Sequence, residues 1–219
     1  DVKFVHPLFP PGTRNGQGTV GFGSSSGIGG GGVVASTGAQ LWSTNPMVGA
    51  TAGTAFVVLK CFSGIGTVLK YGNAGNPNLY APTEIYEDWG TAERTGLNNP
   101  AVHYNEWVIY QVTTSGTGLN SAVRKSYVDG NLLNTATGLN IDWVGASFMG
   151  YQGTDQSDIS IAAVLLYRGL LTSDESNAAG YYLEQKFGLN TAYGPEPSAL
   201  LALVTGLAGI GGFAIRRRK

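Results

Sequence analysis

The densest run of carboxylates in this 219-residue chain is Glu84-Ile85-Tyr86-Glu87-Asp88-Trp89. Two carboxyl groups on one face of a strand can act as nucleophile and acid in glycoside hydrolysis, because alternate strand residues point the same way. Glu84 and Asp88 share that parity, but Tyr86 stands between them and Glu87 takes the other face. The hydrolytic pattern is interrupted. The segment reads instead as an exposed edge or loop with solvated carboxylates beside a packed Tyr86 and Trp89, and no catalytic residue is assigned. Asp155 and Asp158, in Gly153-Thr154-Asp155-Gln156-Ser157-Asp158, are the candidate metal ligands, since short-spaced carboxylates and loop carbonyls suit Ca²⁺. His6 and His103 are too few and too isolated for a zinc site or a nucleophile triad. Cys61, the single cysteine, reads as a small buried hydrophobe on a strand. The glycines of residues 27–32 are followed by no Lys-Ser or Lys-Thr pair and no helix signal, so they form no phosphate loop.

Sugar recognition needs aromatic faces with a few polar groups beside them. Trp89, Trp143 and Tyr151 lie next to turn-forming residues and are the candidate carbohydrate contacts. The competing reading makes them plugs of a β-sandwich, as Trp107 is expected to be from within its strand.

The elements that would carry these residues are short and β-rich. Runs at 54–62 (TAFVVLKCF), 67–71, 107–113 (WVIYQVT), 123–128 and 159–167 (ISIAAVLLY) are separated by clusters of Gly, Asn and Pro. Such punctuation predicts a sandwich or barrel. Asp129-Gly130 between residues 125–128 and 131–133 predicts a two-residue hairpin, whose type I′ turn needs positive φ at both central positions. One helix is marked outside the chain's end, over about residues 173–187. Thr172 and Glu175 form a capping box, Asp174 and Glu175 favour the positive helix end, and Gly188 supplies the C-cap. Ala178, Tyr182, Leu183 and Phe187 recur at helical spacing and predict the buried stripe.

The last 25 residues differ in kind: Pro195-Glu196-Pro197, an uncharged run over 198–215, then Arg216-Arg217-Arg218-Lys219. About eighteen apolar residues at 1.5 Å rise make roughly 27 Å of helix, close to the thickness of a bilayer core. Four cations after that run favour the cytoplasmic side and leave the body outside. The chain opens on Asp1 with no leader, so export predicts either a removed signal peptide or a missing N-terminal stretch. Removing the four terminal cations from thirteen basic residues leaves nine against fourteen acidic, a balance of −5 for the body. No basic patch with interleaved aromatics appears there, which argues against nucleic acid as partner. The 34 glycines and low charge fit an extracellular β protein with generous turns.

The three-part end, Pro195-Glu196-Pro197 followed by an apolar helix and an Arg-rich terminus, resembles the PEP-CTERM sorting signal. That resemblance covers residues 195–219. It implies a Gram-negative host, an exosortase-type membrane enzyme as partner, cutting near the Pro-Glu-Pro motif, and a final place at the cell surface or in an extracellular (biofilm) matrix. The closing strand 159–167, the segment Leu170-Leu171-Thr172-Ser173-Asp174-Glu175, the helix and the Tyr127-Val128-Asp129-Gly130 hairpin resemble the laminin-G-like (LamG), concanavalin A-like jelly rolls over roughly residues 55–190. Many LamG relatives bind calcium, and laminarinase-like hydrolases share the fold with an E-x-D-x-E or E-x-D-x-x-E strand that this chain breaks at Tyr86. Where many relatives carry an acid after Ile-Ala in the last strand, this chain has Ala163.

The combined expectation is an all-β, concanavalin A-like jelly-roll sandwich over 1–190 with one short amphipathic helix, a linker over 191–197, and a transmembrane helix with basic tail over 198–219. Its function is expected to be non-catalytic binding of extracellular polysaccharide in adhesion or matrix assembly. The alternatives are a purely structural matrix protein and a laminarinase-like glycosidase.

Overall fold

The computed structural model describes residues 2–5, 19–23, 33–37, 40–43, 47–64, 66–69, 78–80, 84–98, 105–143, 147–150 and 157–194. In chain order its strands are β1 (Val2–Val5), β2 (Thr19–Gly23), β3 (Val33–Thr37), β4 (Gln40–Ser43), β5 (Ala52–Gly64), β6 (Gly66–Leu69) and β7 (Asn78–Tyr80). They continue with β8 (Glu84–Glu87), β9 (Thr95–Asn98), β10 (Trp107–Ser115), β11 (Ala122–Val128), β12 (Asn131–Leu139), β13 (Ser147–Gly150) and β14 (Ser157–Tyr167), and helix α1 (Ser173–Phe187) follows. One sheet runs β12-β11-β10-β5-β14-β3-β2, with β1 paired to the second half of β14; the other runs β4-β13-β6-β7-β8-β9. Among the described residues the protein is thus mostly β-sheet with one helix, and no helix is long and apolar enough to cross a membrane.

Strand alternation explains how the larger sheet buries both faces. On β5, Ala55, Val57, Leu59 and Cys61 join an inter-sheet core with Val68 of β6 and Ile85 of β8, while Phe56 and Val58 take the opposite face. Because β5 is central and buried on both sides, its sequence reads as a nearly continuous apolar run. The outer face is covered by α1, whose Leu183 and Phe187 pack with Phe56, Val58, Ile109 and Leu165. Each such side chain, fully buried, contributes about 1.5–3 kcal/mol. A register irregularity between Ile161 and Ala163 of β14 puts both Ala162 and Ala163 on the helix side, where a small side chain fits beneath α1.

The five expected strands are present, mostly longer than their apolar patterns, and α1 has the expected ends. The Thr172 side chain accepts from the Glu175 N–H at 3.2 Å, Glu175 Oε2 accepts from the Thr172 N–H at 2.8 Å, and Gly188 closes the helix at φ 64°. The turn at Asp129-Gly130 has φ values of 51° and 80°. The buried stripe of α1 differs from the expected one: Gly180, Leu183 and Phe187 are buried, Ala179 and Tyr181 pack beside them, and Tyr182 is 48% exposed. The helix is rotated so that its smallest residue faces the chain that returns over it. Trp107 also departs from expectation, packing half-buried on the helix side and not between the sheets.

Candidate functional site: a polar cleft between the helix and the outer sheet face

Helix α1 covers the middle of the larger sheet but not its outer corner at β10 and β11. There the outward residues form three directly opposed pairs, Gln111 with Tyr127, Thr113 with Lys125, and Ser115 with Val123. These pairs floor an open cleft of about 630 Å³. One wall is the approach to α1 and its first turns, Leu170, Thr172, Ser176 and Asn177 among them, and the other end is closed by Gly130, Ala192 and Tyr193.

The cleft is held in shape by a strap of residues 189–194 that returns from the helix to the hairpin. The Leu189 N–H donates to Glu184 O at 3.0 Å, and the Ala192 N–H donates to Asp129 O at 2.8 Å. Tyr193 Oη donates to Gln111 Oε1 at 2.7 Å, and Gln111 Nε2 donates to Ser176 Oγ at 3.2 Å, so this amide joins sheet, helix and strap. Asn177 grips the strap's end twice: its Nδ2 donates to Gly194 O at 2.6 Å and its Oδ1 accepts from the Gly194 N–H at 3.1 Å. Burial pushes the Tyr193 phenol well above the usual tyrosine range, with the Asp129 charge adding to it. The Tyr127 phenol is raised by burial as well. Both hydroxyls are therefore protonated donors at neutral pH.

The acidic run takes a different position from the solvated edge expected of it. Glu87 and Asp88 are 0% and 1% exposed, facing Arg124, which β11 points inward at 1% exposure. Arg124 Nε lies 3.9 Å from Glu87 Oε2, Nη1 donates to Glu93 O at 3.1 Å and also to Thr91 Oγ1, and Nη2 donates to Thr95 Oγ1 at 2.7 Å. Desolvation lowers the Arg124 guanidinium from its ordinary value, opposed by the charges of Glu87, Asp88 and Glu93. Glu93 in turn accepts from the Asn140 N–H at 2.8 Å and from Asn140 Nδ2. An inward arginine on β11 thus draws the carboxylates into the sandwich. Tyr86 lies beneath the Arg94 guanidinium, 4.5 Å from ring centroid to Cζ, and is packed as expected.

Trp89 and Trp143 are not exposed contacts. They are 0% and 3% exposed and meet edge to face with centroids 4.8 Å apart inside the inter-sheet core. Gly53 and Gly90 make room for them: a methyl group at 53 would stand 2.9 Å from the rim of either ring, and one at 90 would stand 2.6 Å from Trp143 Cζ2. The plug reading is the one their burial supports. Tyr151 and Asp155 lie outside the described residues, as do His6, His103, Pro195, Glu196, Pro197, Arg216, Arg217, Arg218 and Lys219. Asp158 falls within β14, paired in register with Thr37 and Ser63. Among the described residues no group of three or more His, Cys, Asp or Glu is placed to hold a metal ion.

The cleft residues Gln111, Lys125, Tyr127 and Tyr193 were not among the sequence candidates. Their one visible signal is Gln111 itself, a polar residue within the apolar run of β10. The fold and site define a two-sheet β-sandwich with a helix-flanked polar cleft. No protein-family model matches the chain, and no curated protein does. Among solved structures the chain is similar to the botulinum neurotoxin serotype D binding domain, at TM-score 0.52 and 12% identity over 76% of this chain and 46% of that one. It is also similar to the receptor binding domain of botulinum neurotoxin C/D mosaic serotype, at TM-score 0.51 and 11% identity over 78% and 46%. A sialidase of Trypanosoma rangeli matches at TM-score 0.47 and 16% identity over 71% and 27%. The chain spans less than half the length of the neurotoxin-domain chains it matches, and at these identities the likeness is one of fold.

Proposed function

We propose that this protein is an exported, non-catalytic module on a concanavalin A-like jelly roll that binds extracellular polysaccharide through the cleft beside α1. The observation that carries this reading is the cleft's floor. It sets the Thr113 and Ser115 hydroxyls, the Tyr127 ring, Lys125 and Val123 around the Gln111 amide in a space of about 630 Å³, within the roughly 300–1,000 Å³ of small-ligand sites. A sugar presents hydroxyls at its edge and C–H groups on its face, so the Thr113 and Ser115 hydroxyls and the Tyr127 ring on one floor answer both. Glu87 pairs with Arg124 inside the sandwich and Asp88 is buried beside it, which weighs against a laminarinase-like site at the acidic run. Of the two similar neurotoxin chains one is named a receptor binding domain and the other a binding domain, which is compatible with a binding role on this fold.

The rest of the proposal rests on sequence. Residues 198–215 cross the inner membrane as one helix with Arg216 to Lys219 in the cytoplasm, and Pro195-Glu196-Pro197 is the site an exosortase-type enzyme reads before the protein reaches the cell surface or matrix. Binding of the full-length protein to a broad glycan array, with and without calcium, tests the function. Tyr127→Ala is expected to lower retention about tenfold at little changed melting temperature, since its half-buried side chain lies on the cleft floor and belongs to neither apolar cluster. Failure of the parent protein to retain any glycan favours a purely structural matrix role, and turnover of a β-glucan would establish a glycosidase instead.

A further inference from the structure

Every other cation whose side chain is described already has a partner. Arg124 sits in the buried cluster, Arg94 lies over Tyr86, Arg168 Nη2 donates to Val48 O at 3.0 Å, Lys186 lies 5.5 Å from the Tyr182 and Phe187 ring centroids, and Lys60 is engaged as well. Lys125 is different. It is exposed at the centre of β11, makes no ion pair or hydrogen bond among the described residues, and projects from the cleft floor opposite Thr113. The rest of the lining is neutral: hydroxyls, amides, two tyrosines and a few apolar groups. The two carboxylates of the first helical turn, Asp174 and Glu175, are exposed but do not line the cleft, and Glu175 is occupied by Thr172. The lining thus carries one ammonium and no carboxylate, on a body whose balance is −5; the Asp129 carboxylate, whose charge acts on Tyr193, accepts from the Ile109 N–H at 2.8 Å.

We propose that the ligand of this cleft is an anionic, hydroxyl-rich saccharide, bearing carboxylates or sulfate esters, with Lys125 as the residue that reads its charge. This rests on the saccharide-binding reading above and narrows it to a chemical class. A charged acceptor on a sugar makes a charge-assisted hydrogen bond to the ammonium, stronger than any the neutral lining can offer. Thr113 and Ser115 on the same floor supply hydroxyls for the sugar's own, and the Tyr127 ring supplies the face. The acidic body disfavours general adsorption of a polyanion, so discrimination must arise locally at the cleft.

The test uses the full-length protein in a sugar-free non-ionic detergent, titrated with polygalacturonate, dextran sulfate and neutral dextran. The parent is expected to bind at least one of the two charged polymers about tenfold tighter than dextran, with the difference shrinking as salt is raised. Lys125→Gln should abolish that preference at unchanged melting temperature, and Lys125→Arg should retain it. Because all variants keep Arg216 to Lys219, adsorption through the tail would persist in Lys125→Gln and so be recognised. Which polymer responds distinguishes carboxylate from sulfate. Equal affinity for charged and neutral polymers, or a charge preference that survives Lys125→Gln, overturns the inference. Retention of none of the three, with no glycan retained on the array, overturns the saccharide-binding reading itself.

Discussion

Gly180 offers a substitution whose sign is decided by tertiary contact. It lies inside α1, where alanine is favoured over glycine by about 1 kcal/mol on backbone grounds alone. In this protein the residue is buried against Tyr193, and a methyl group at 180 would stand 2.5 Å from Tyr193 Cε1 and nearer still to Cγ and Cδ1. The ring has little freedom to retreat, since its hydroxyl is held by Gln111 and the flanking Ala192 and Gly194 are bonded to Asp129 and Asn177. Overpacking costs about 1–3 kcal/mol, and breaking the buried Tyr193–Gln111 bond about another 1–3 kcal/mol. Against the 1 kcal/mol of helix propensity, Gly180→Ala is expected to destabilise by about 1–5 kcal/mol. In a Tyr193→Ala background the obstruction is gone, and the same change should stabilise by about 0.5–1 kcal/mol. Urea unfolding followed by tryptophan fluorescence measures both, with the slope of the transition checking that the denatured state is unaltered. A stabilising Gly180→Ala in the parent, or the same sign in both backgrounds, would refute the reasoning.

Two further outcomes follow from the buried cluster and the helix cap. Arg124→Met should lower stability by about 3–5 kcal/mol, because Glu87 and Asp88 lose their buried cation; combining it with Glu87→Gln should cost less than the two changes summed, as a double-mutant cycle in denaturant would reveal. Glu175 is held below the usual carboxylate range chiefly by the Thr172 N–H and then by its hydroxyl. A depressed folded-state pKa means stability that is present above the unfolded value of 4.5 and lost as pH falls through the folded one. Glu175→Gln should therefore flatten the parent's loss of stability between about pH 5 and pH 3, while a parallel decline in both proteins would assign that loss to other groups.

Local chemistry made much of the scaffold legible. Thr172 with Glu175, Gly188, and Asp129-Gly130 each act over a few residues, so the helix ends and the hairpin turn could be placed from neighbours in sequence alone. Apolar runs such as 107–113 likewise announce strands whatever their partners, although β12 was seen only at its first residues because much of its length is exposed and lacks an apolar run. The site was much less legible. Trp89 and Trp143 lie beside turns in sequence, as exposed sugar contacts would, yet they meet inside the core because Gly53 and Gly90 leave space that only the packed sheets define. Glu87 and Asp88 read as solvated until β11 turns Arg124 inward to face them. Burial of a charge depends on a partner more than thirty residues away, and no local pattern encodes that distance.

What the amino-acid order determined by itself was the β-rich character, the capped helix, the hairpin and the charge contrast between body and tail, all of which follow from propensity, turn geometry and composition. The cleft was decided by tertiary structure alone. Gln111, Lys125, Ser176 and Tyr193 come together because the β10–β11 register sets Gln111 beside Tyr127 and Thr113 beside Lys125, and because the strap after α1 returns to the Asp129-Gly130 turn. Those are non-local contacts, whose free energy depends on sheet order and helix docking, and a linear sequence states neither.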